Sequence, residues 1–360
     1  MADKLIYKSD CRHFLGHIPC KPHKKHNVHC NNCSFYEKKT GKILIIKLGA
    51  IGDVIRTTPL LDKLWSEHPD KEIWWVTEFP DILPKTIDKI FKLDHKSILT
   101  LQQTKFDKLI NLDKDYEACS LTASITADEK EGFTLLEGKP APINERAIPK
   151  FMTGLFDDVN KANTKSYPEE IFEICGWKFN NEEYMIDVVD HYFSIKNDGK
   201  KIIGLNTGCG DRWTSRLIPD STWIDLIKKL QKKGYHPLLL GGSQENYRNE
   251  YLADVTKAEY LGHFSLEKFI SLIDRCDAVV SVVTMASHLA IGLKKPLILI
   301  NNIFNSKEFE LYGRGEIIEP TKPCKCYFSA KCTNEEYSCI ENISADDLFE
   351  AINRNITVKV

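Results

Sequence analysis

The stretch KILIIKLGAIGDVIRTTPLL, residues 42–61, decides how this chain is read. KILIIKL (42–48) is a short apolar run of the kind that forms a fully buried parallel strand. A glycine-containing turn, GAIGD, follows it, and from Val54 to His68 apolar residues recur at helical spacing (Ile55, Leu60, Leu61, Leu64, Trp65). Strand, turn and helix in that order predict the first unit of a parallel α/β sheet. Gly49, Gly52 and Asp53 stand where the backbone turns, so a ligand can approach the main chain there and a carboxylate points into the cleft. From spacing alone Asp53 has two readings, a cap on the following helix or a catalytic group. The turn is not GxGxxG, so it does not point to a nicotinamide cofactor.

Working outward, EIWWVTE (72–78) and KLINLD (108–113) read as further strands, with a helix-like stretch from the first of them to about Leu93. Residues 150–195 read as mostly helical (EEIFEICGW), with one strand near MIDVV (185–189), and lead into a linker. The pattern then restarts. KIIGLNTG (201–208), HPLLLGG (236–242), DAVVSVVT (277–284) and PLILINN (296–302) are apolar strands, and a helix is expected from Ser221, its N-cap, to Gly234. Two α/β units of ordinary domain size facing each other across a cleft are the simplest assembly. The expected organisation is a Cys/His-rich, metal-binding segment over 1–40, a Rossmann-like domain over 41–195 and a second over 196–360.

Composition limits the function. The 360 residues are 42% apolar, and 49 basic against 51 acidic residues leave a formal charge of −2. Such a balance gives no general attraction for nucleic acid, and any anion site must be local. No run of about 18 apolar residues occurs and the N-terminus MADKLIYKSD lacks the core of a signal peptide, so a cytoplasmic location is expected. Twelve cysteines are many for a reducing compartment, and eight of them fall into two clusters, which suggests metal binding more than disulfides.

Four segments in order carry a family resemblance. KILIIKLGAIGDVIRTTPLL, NTGCGDRWTSRLIPDSTW (206–223), LLLGGSQE (238–245) and VVTMASHLAIGLKKPLI (282–298) resemble the motifs of glycosyltransferase family 9, the ADP-heptose heptosyltransferases. The resemblance covers roughly residues 41–355. It implies the GT-B fold, two Rossmann-like domains with the acceptor bound mainly by the first and the nucleotide sugar by the second. It also implies that Asp53, which falls on the family's GDV aspartate, is the general base. An aspartate within hydrogen-bond reach can take the proton of an acceptor hydroxyl as it attacks the anomeric carbon, and one displacement inverts the configuration. Gly52, Arg56 and Thr57 beside it become candidates for contact with the acceptor.

In the second half the leaving nucleoside diphosphate must be stabilised, and such folds usually do so without a catalytic metal, through cationic side chains and helix N-termini. Thr207 and Gly208 form a polar turn after a strand, and Arg216 stands where the family has a phosphate-contacting lysine; a solvated loop cation is the other reading of Arg216. Thr284, Met285, Ala286, Ser287 and His288 open a helix that can cradle phosphate, His288 either donating to it or packing on the sheet. Gly241 and Gly242 either admit the nucleotide or make a plain turn, with Glu245 near for a ribose hydroxyl. One position departs from the family. Val283 replaces the aspartate that contacts the transferred sugar, which leaves the sugar open.

Cys11, Cys20, Cys30 and Cys33, interspersed with five histidines, form the first cysteine group, and Cys324, Cys326, Cys332 and Cys339 the second. Thiolate and imidazole ligands suit structural zinc, and sulfur-only ligation suits zinc or iron. The second group resembles the iron site of the autotransporter heptosyltransferases, a protein-modifying branch of the family.

The function expected is transfer of a heptose-like sugar from a nucleoside diphosphate, ADP-heptose favoured, to a hydroxyl on lipopolysaccharide, another glycan or a protein. Peripheral membrane association and homo-oligomerisation are compatible with it. The competing readings are a GT-B-like nucleotide-sugar epimerase and an inactive metal-binding interaction protein.

Overall fold

The computed structural model describes residues 6–322 and 324–357, without the side chains of Asp211 and Thr357. The outermost residues of the first and last expected segments, and Pro323 beside the second cysteine group, lie outside that description.

Among the described residues twelve strands form two sheets. The first contains β1 (Gly41–Ile46), β2 (Lys71–Thr77), β3 (Lys89–Lys92), β4 (Phe106–Asn111), β5 (Ala127–Leu136) and β6 (Lys139–Pro142), in the order β3-β2-β1-β4-β5-β6. The second contains β7 (Ile202–Asn206), β8 (His236–Leu240), β9 (Glu259–Tyr260), β10 (Ala278–Val282), β11 (Leu297–Ile300) and β12 (Gly315–Ile318), in the order β12-β11-β10-β7-β8-β9. Counted within each half, the two orders are the same, 3-2-1-4-5-6. Among the described residues these strands pair in parallel except β5 with β6. In each half the order reverses beside the first strand, between β1 and β4 and between β7 and β10. That reversal opens a crevice at the strands' carboxyl ends, where ligands bind. Two Rossmann-like α/β units are therefore present, as the repeated apolar runs imply.

The apolar strands form because both their faces are covered. β7 and β10 are buried along their whole length, as are the last four residues of β1. Among the described residues Trp75, on β2 of the first sheet, and Trp223, on the helix Asp220–Lys233 of the second half, are the largest fully buried side chains. The C-terminal helix Ala345–Thr357 packs on the second sheet and on the helix Asp220–Lys233.

Four local readings are corrected. The helix expected over Val54–His68 is two, Ile51–Ile55 and Leu60–Glu67, because Pro59 cannot donate to a continuous ladder. Residues 79–93 form a short 3-10 turn and the edge strand β3 rather than a helix, with Pro80 and Pro84 breaking the ladder. MIDVV makes no strand: it lies in an extended connector with no sheet neighbour, tied instead by Met185 N–H to Thr58 Oγ1 at 2.8 Å and Lys85 N–H to Asp187 at 2.8 Å. The helix after β7 starts at Asp220 with Pro219 as its N-cap, so Ser221 lies inside its first turn. The hairpin β5–β6 was not expected from the sequence, since it is rich in charge.

Candidate functional site

The carboxyl ends of the two sheets face one cavity of about 770 Å³. Gly52, Asp53 and Arg56 line it from the first half; Gly208, Arg216, Gly241, Gly242, Val283 and Thr284 line it from the second.

On the first side, β1 delivers the chain into the helix Ile51–Ile55. Its N-cap is Ala50, without a side-chain cap bond, and Asp53 lies in the first turn. Asp53 is half-buried and points instead to Arg56, Nη2 to Oδ1 at 2.8 Å. Its other oxygen has no hydrogen-bond partner among the described residues. Burial acts to raise its pKa, but neighbouring cations, Arg56 foremost and then Lys47, bring it down from 3.8 to about 2. Asp53 is thus ionised throughout the neutral range. The Arg56 guanidinium lies 3.7 Å from the centroid of the Tyr167 ring and 3.5 Å from the Glu308 carboxylate, which comes from the second half. Burial opposes its charge most strongly, yet Asp53, Tyr167 and Glu308 with Tyr184 together outweigh that and hold its pKa above the ordinary arginine value. Behind the loop, Lys47 is buried and paired with Asp113, which also accepts the Leu48 N–H. Lys150 pairs with Glu170 at 2.5 Å.

Thr57 stands behind the wall. It is fully buried, and its hydroxyl donates to the Asp53 carbonyl at 2.7 Å. Gly52 is on the wall for a steric reason, since a Cβ there would approach His288 Cδ2 to 2.5 Å.

On the second side, Arg216 is 8% exposed and held by carbonyl groups, those of Val283 and, at 3.1 Å, Cys209. Its Nε is buried without a hydrogen-bond partner, and among the described residues no carboxylate pairs with it. The rings of Phe304 and Trp213 stand 5.5 and 5.9 Å from the guanidinium. Burial pushes its pKa below the usual arginine value. An uncompensated buried cation on a cavity wall is a receptor for an anion.

The helix Met285–Gly292 starts at the same wall, capped reciprocally by Thr284 and Ser287. Thr284, Met285, Ala286 and His288 line the cavity, whereas the Ser287 hydroxyl is buried and donates to the Thr284 carbonyl at 2.7 Å. His288 is buried between Tyr184 and Phe309, and its Nδ1 has no partner. Burial lowers its pKa to about 3, so it is neutral at pH 7. Thr207 is buried off the wall and donates to Asn249 at 2.6 Å. Gly208 and Gly241 leave room for Glu245: a Cβ at Gly208 would collide with its carboxylate, and one at Gly241 would come within 2.7 Å of its Cβ. Glu245 also accepts the Gly242 N–H at 2.9 Å.

Residues 177–338 match the family model described as glycosyltransferase family 9 (heptosyltransferase). Over those residues, a little under half of the chain, the sequence is similar to that family. Among curated proteins, none matches the sequence. Among solved structures, a glycosyltransferase family 9 protein from Veillonella parvula DSM 2008 is 17% identical with a TM-score of 0.69, covering 90% of this chain and 99% of that one. The ADP-heptose lipopolysaccharide heptosyltransferase II of E. coli is 17% identical with a TM-score of 0.64, covering 88% and 98%. The iron-containing dodecameric glycosyltransferase TibC of enterotoxigenic E. coli H10407 is 14% identical with a TM-score of 0.55, covering 88% and 76%. These likenesses establish the GT-B fold.

The two cysteine groups differ in geometry. The sulfurs of Cys324, Cys326 and Cys339 lie within 4.8 Å of one another, and Cys332 Sγ is 3.4 Å from that of Cys326. Among the described residues no comparable group contains Cys11, Cys20, Cys30 or Cys33; Cys11 is buried beside Lys38 and the other three are partly exposed. The second group's loop reaches the cavity. Ser215 donates to the Ser329 carbonyl at 2.7 Å and, through its N–H, to that of Ala330 at 3.1 Å, while Phe328 lines the cavity.

Sequence reasoning missed Tyr167, Lys150, Glu308 and the aromatic wall of Trp213, Phe304, Phe309 and Phe328. Only Tyr167 had a local signal, the capping box that opens its helix at Ser166 and Glu169. Among the described residues no helix is long and apolar enough to cross a membrane.

Proposed function

We propose that the chain is an inverting glycosyltransferase that moves a heptose-like sugar from an ADP-sugar to a hydroxyl of lipopolysaccharide, another glycan or a protein. The observation that carries this reading is that Asp53 and Arg216 face one cavity from opposite sheets, an ionised carboxylate against a cation with no carboxylate partner. Nucleophile activation needs the first, and a departing diphosphate needs the second. The halves 41–195 and 196–360 then serve acceptor and donor respectively.

In the mechanism, Arg216 and the N-terminus of the helix Met285–Gly292 take the diphosphate. Glu245, Gly241 and Gly242 border the nucleoside. Asp53 accepts the acceptor's proton on the oxygen that Arg56 leaves unengaged, while the hydroxyl oxygen attacks the anomeric carbon and the carbon–diphosphate bond breaks. Arg56 and Gly52 shape the acceptor side, with Thr57 supporting the loop from behind.

The second cysteine group fits a structural zinc or iron held by Cys324, Cys326, Cys332 and Cys339. Besides their mutual distances, the sulfurs receive the hydrogen bonds usual around thiolate ligands: Cys326 N–H to Cys324 at 3.2 Å, Thr333 N–H to Cys326 at 3.1 Å and Asn302 to Cys339 at 3.4 Å. Such a metal would stiffen the loop beneath Ser215. Metal analysis of the purified protein tests it, and metal-free protein of unchanged stability would refute it.

The test of function is ADP release from ADP-heptose with and without a heptose-free lipopolysaccharide acceptor. Acceptor-dependent release that disappears in Asp53→Asn supports the reading. Release without acceptor dependence, or normal turnover of the variant, would overturn it.

A further inference from the structure

Glu308 is a buried carboxylate of the second half, 6% exposed, on a short 3-10 turn after β11. It lines the same cavity as Asp53. One of its oxygens lies 3.5 Å from Arg56 Nη1, and the other accepts the Asn160 amide at 3.2 Å. Both partners belong to the first half, so the contact spans the cleft. It also continues: the Tyr327 hydroxyl, from the loop between Cys326 and Phe328, donates to the Asn160 side-chain oxygen. The result is one polar chain, Tyr327–Asn160–Glu308–Arg56–Asp53, that crosses between the halves at nearly every link. Asn305 of the second half fastens the crossing further, its amide donating to the carbonyls of Asn160 and Asn163 at 2.7 Å each.

A buried carboxylate without a cation is strongly unfavourable, and here Arg56 is its only ion-pair partner among the described residues. Arg56 in turn is fixed in direction by the Tyr167 face and has two carboxylates to satisfy. Asp53 takes Nη2 and Glu308 takes Nη1. Without Glu308 both ends of the fork would be free for Asp53, and the favoured guanidinium–carboxylate geometry is bidentate. A base gripped by both oxygens has no oxygen to offer an incoming proton.

We infer that Glu308 is a positioning residue for the base: by engaging one end of the Arg56 fork from the opposite half, it leaves one oxygen of Asp53 free toward the acceptor. This rests on the reading of Asp53 as the base. Glu308 touches neither substrate nor reacting atom in this account and works only through Arg56.

Glu308→Gln keeps the size and the bond from Asn160 but removes the charge that holds Arg56. The expected result is a kcat lowered roughly 10- to 100-fold, the scale of a misplaced catalytic group. The affinity for ADP, measured by calorimetry, stays within about twofold, because the loss is not one of uniform binding. The decisive readout is a double-substitution cycle. In an Arg56→Met background Glu308→Gln lowers kcat no further, since the two act as a unit. Losses that multiply independently would overturn the inference, as would an unchanged kcat with a raised donor KM, which would make Glu308 a donor contact. Should Glu308→Gln not fold, Tyr327→Phe carries the test at the far end of the chain: a several-fold lower kcat at unchanged ADP affinity supports the inference, and an unchanged kcat overturns it. Loss of the parent reading looks different. It would appear as normal turnover in Asp53→Asn, whatever Glu308→Gln does.

Discussion

The two halves share a strand order yet hold charge in opposite ways at their cleft-facing ends. In the first half three cations around the loop are answered by carboxylates, Lys47 by Asp113, Lys150 by Glu170 and Arg56 by Asp53 and Glu308, while Lys114 beside them donates to the Lys150 carbonyl. In the second, Arg216 is held by carbonyl dipoles and pairs with no carboxylate among the described residues. Closed ion pairs fix a side chain in place, which suits chemistry. An open one waits for an anion, which suits a diphosphate. The same fold thus builds a reaction wall and a binding wall, and the difference lies in a few side chains rather than in topology.

The comparison can be broken in four places. Asp53→Asn removes the base alone, so turnover should fall about 10²- to 10⁴-fold with ADP binding intact, measured by ADP release and calorimetry. Lys47→Met strands Asp113 in a buried site, and denaturant melts should show a loss of about 3–5 kcal/mol. Arg216→Met removes a cation from a site with no carboxylate to strand. It should destabilise the fold less than Lys47→Met does, yet weaken ADP binding by about 1.5–3 kcal/mol, the worth of a charged hydrogen bond. The last concerns His288, which Asp53 and Arg56 face from the first half and whose effect at neutral pH is the smallest of the four. Its pKa falls from 6.5 to about 3 on folding, chiefly through burial, so below pH 6.5 the unfolded chain binds a proton that the folded chain refuses. Stability therefore declines as pH falls from 6.5 toward 3, by about 1.4 kcal/mol per pH unit from this group. His288→Gln should flatten that slope in melts across the same range.

How much of this was legible in the sequence depends on what each element answers to. The core strands were legible because β1, β7 and β10 are covered on both faces and must be apolar. β5 was not, because its side chains Asp128, Glu129 and Glu131 meet Lys105, Lys108 and Arg146, so a strand one in from the sheet edge reads as a charged loop. MIDVV has the composition of a strand but no neighbour to pair with. Within the site, Asp53, Arg56 and Arg216 stood in local motifs and could be named. Tyr167 and Glu308 could not, since they reach Arg56 from 111 and 252 residues away along the chain, beyond any spacing rule. Glycines were legible as necessary but not in their purpose: Gly208 and Gly241 make room for Glu245, and Gly52 for His288.

The claim that the two walls divide the work is tested most directly by titrating ADP calorimetrically into Asp53→Asn and Arg216→Met side by side. The account predicts wild-type affinity for the first and an affinity about tenfold or more weaker for the second. Equal affinities in the two variants, or a weaker one in Asp53→Asn, would contradict it.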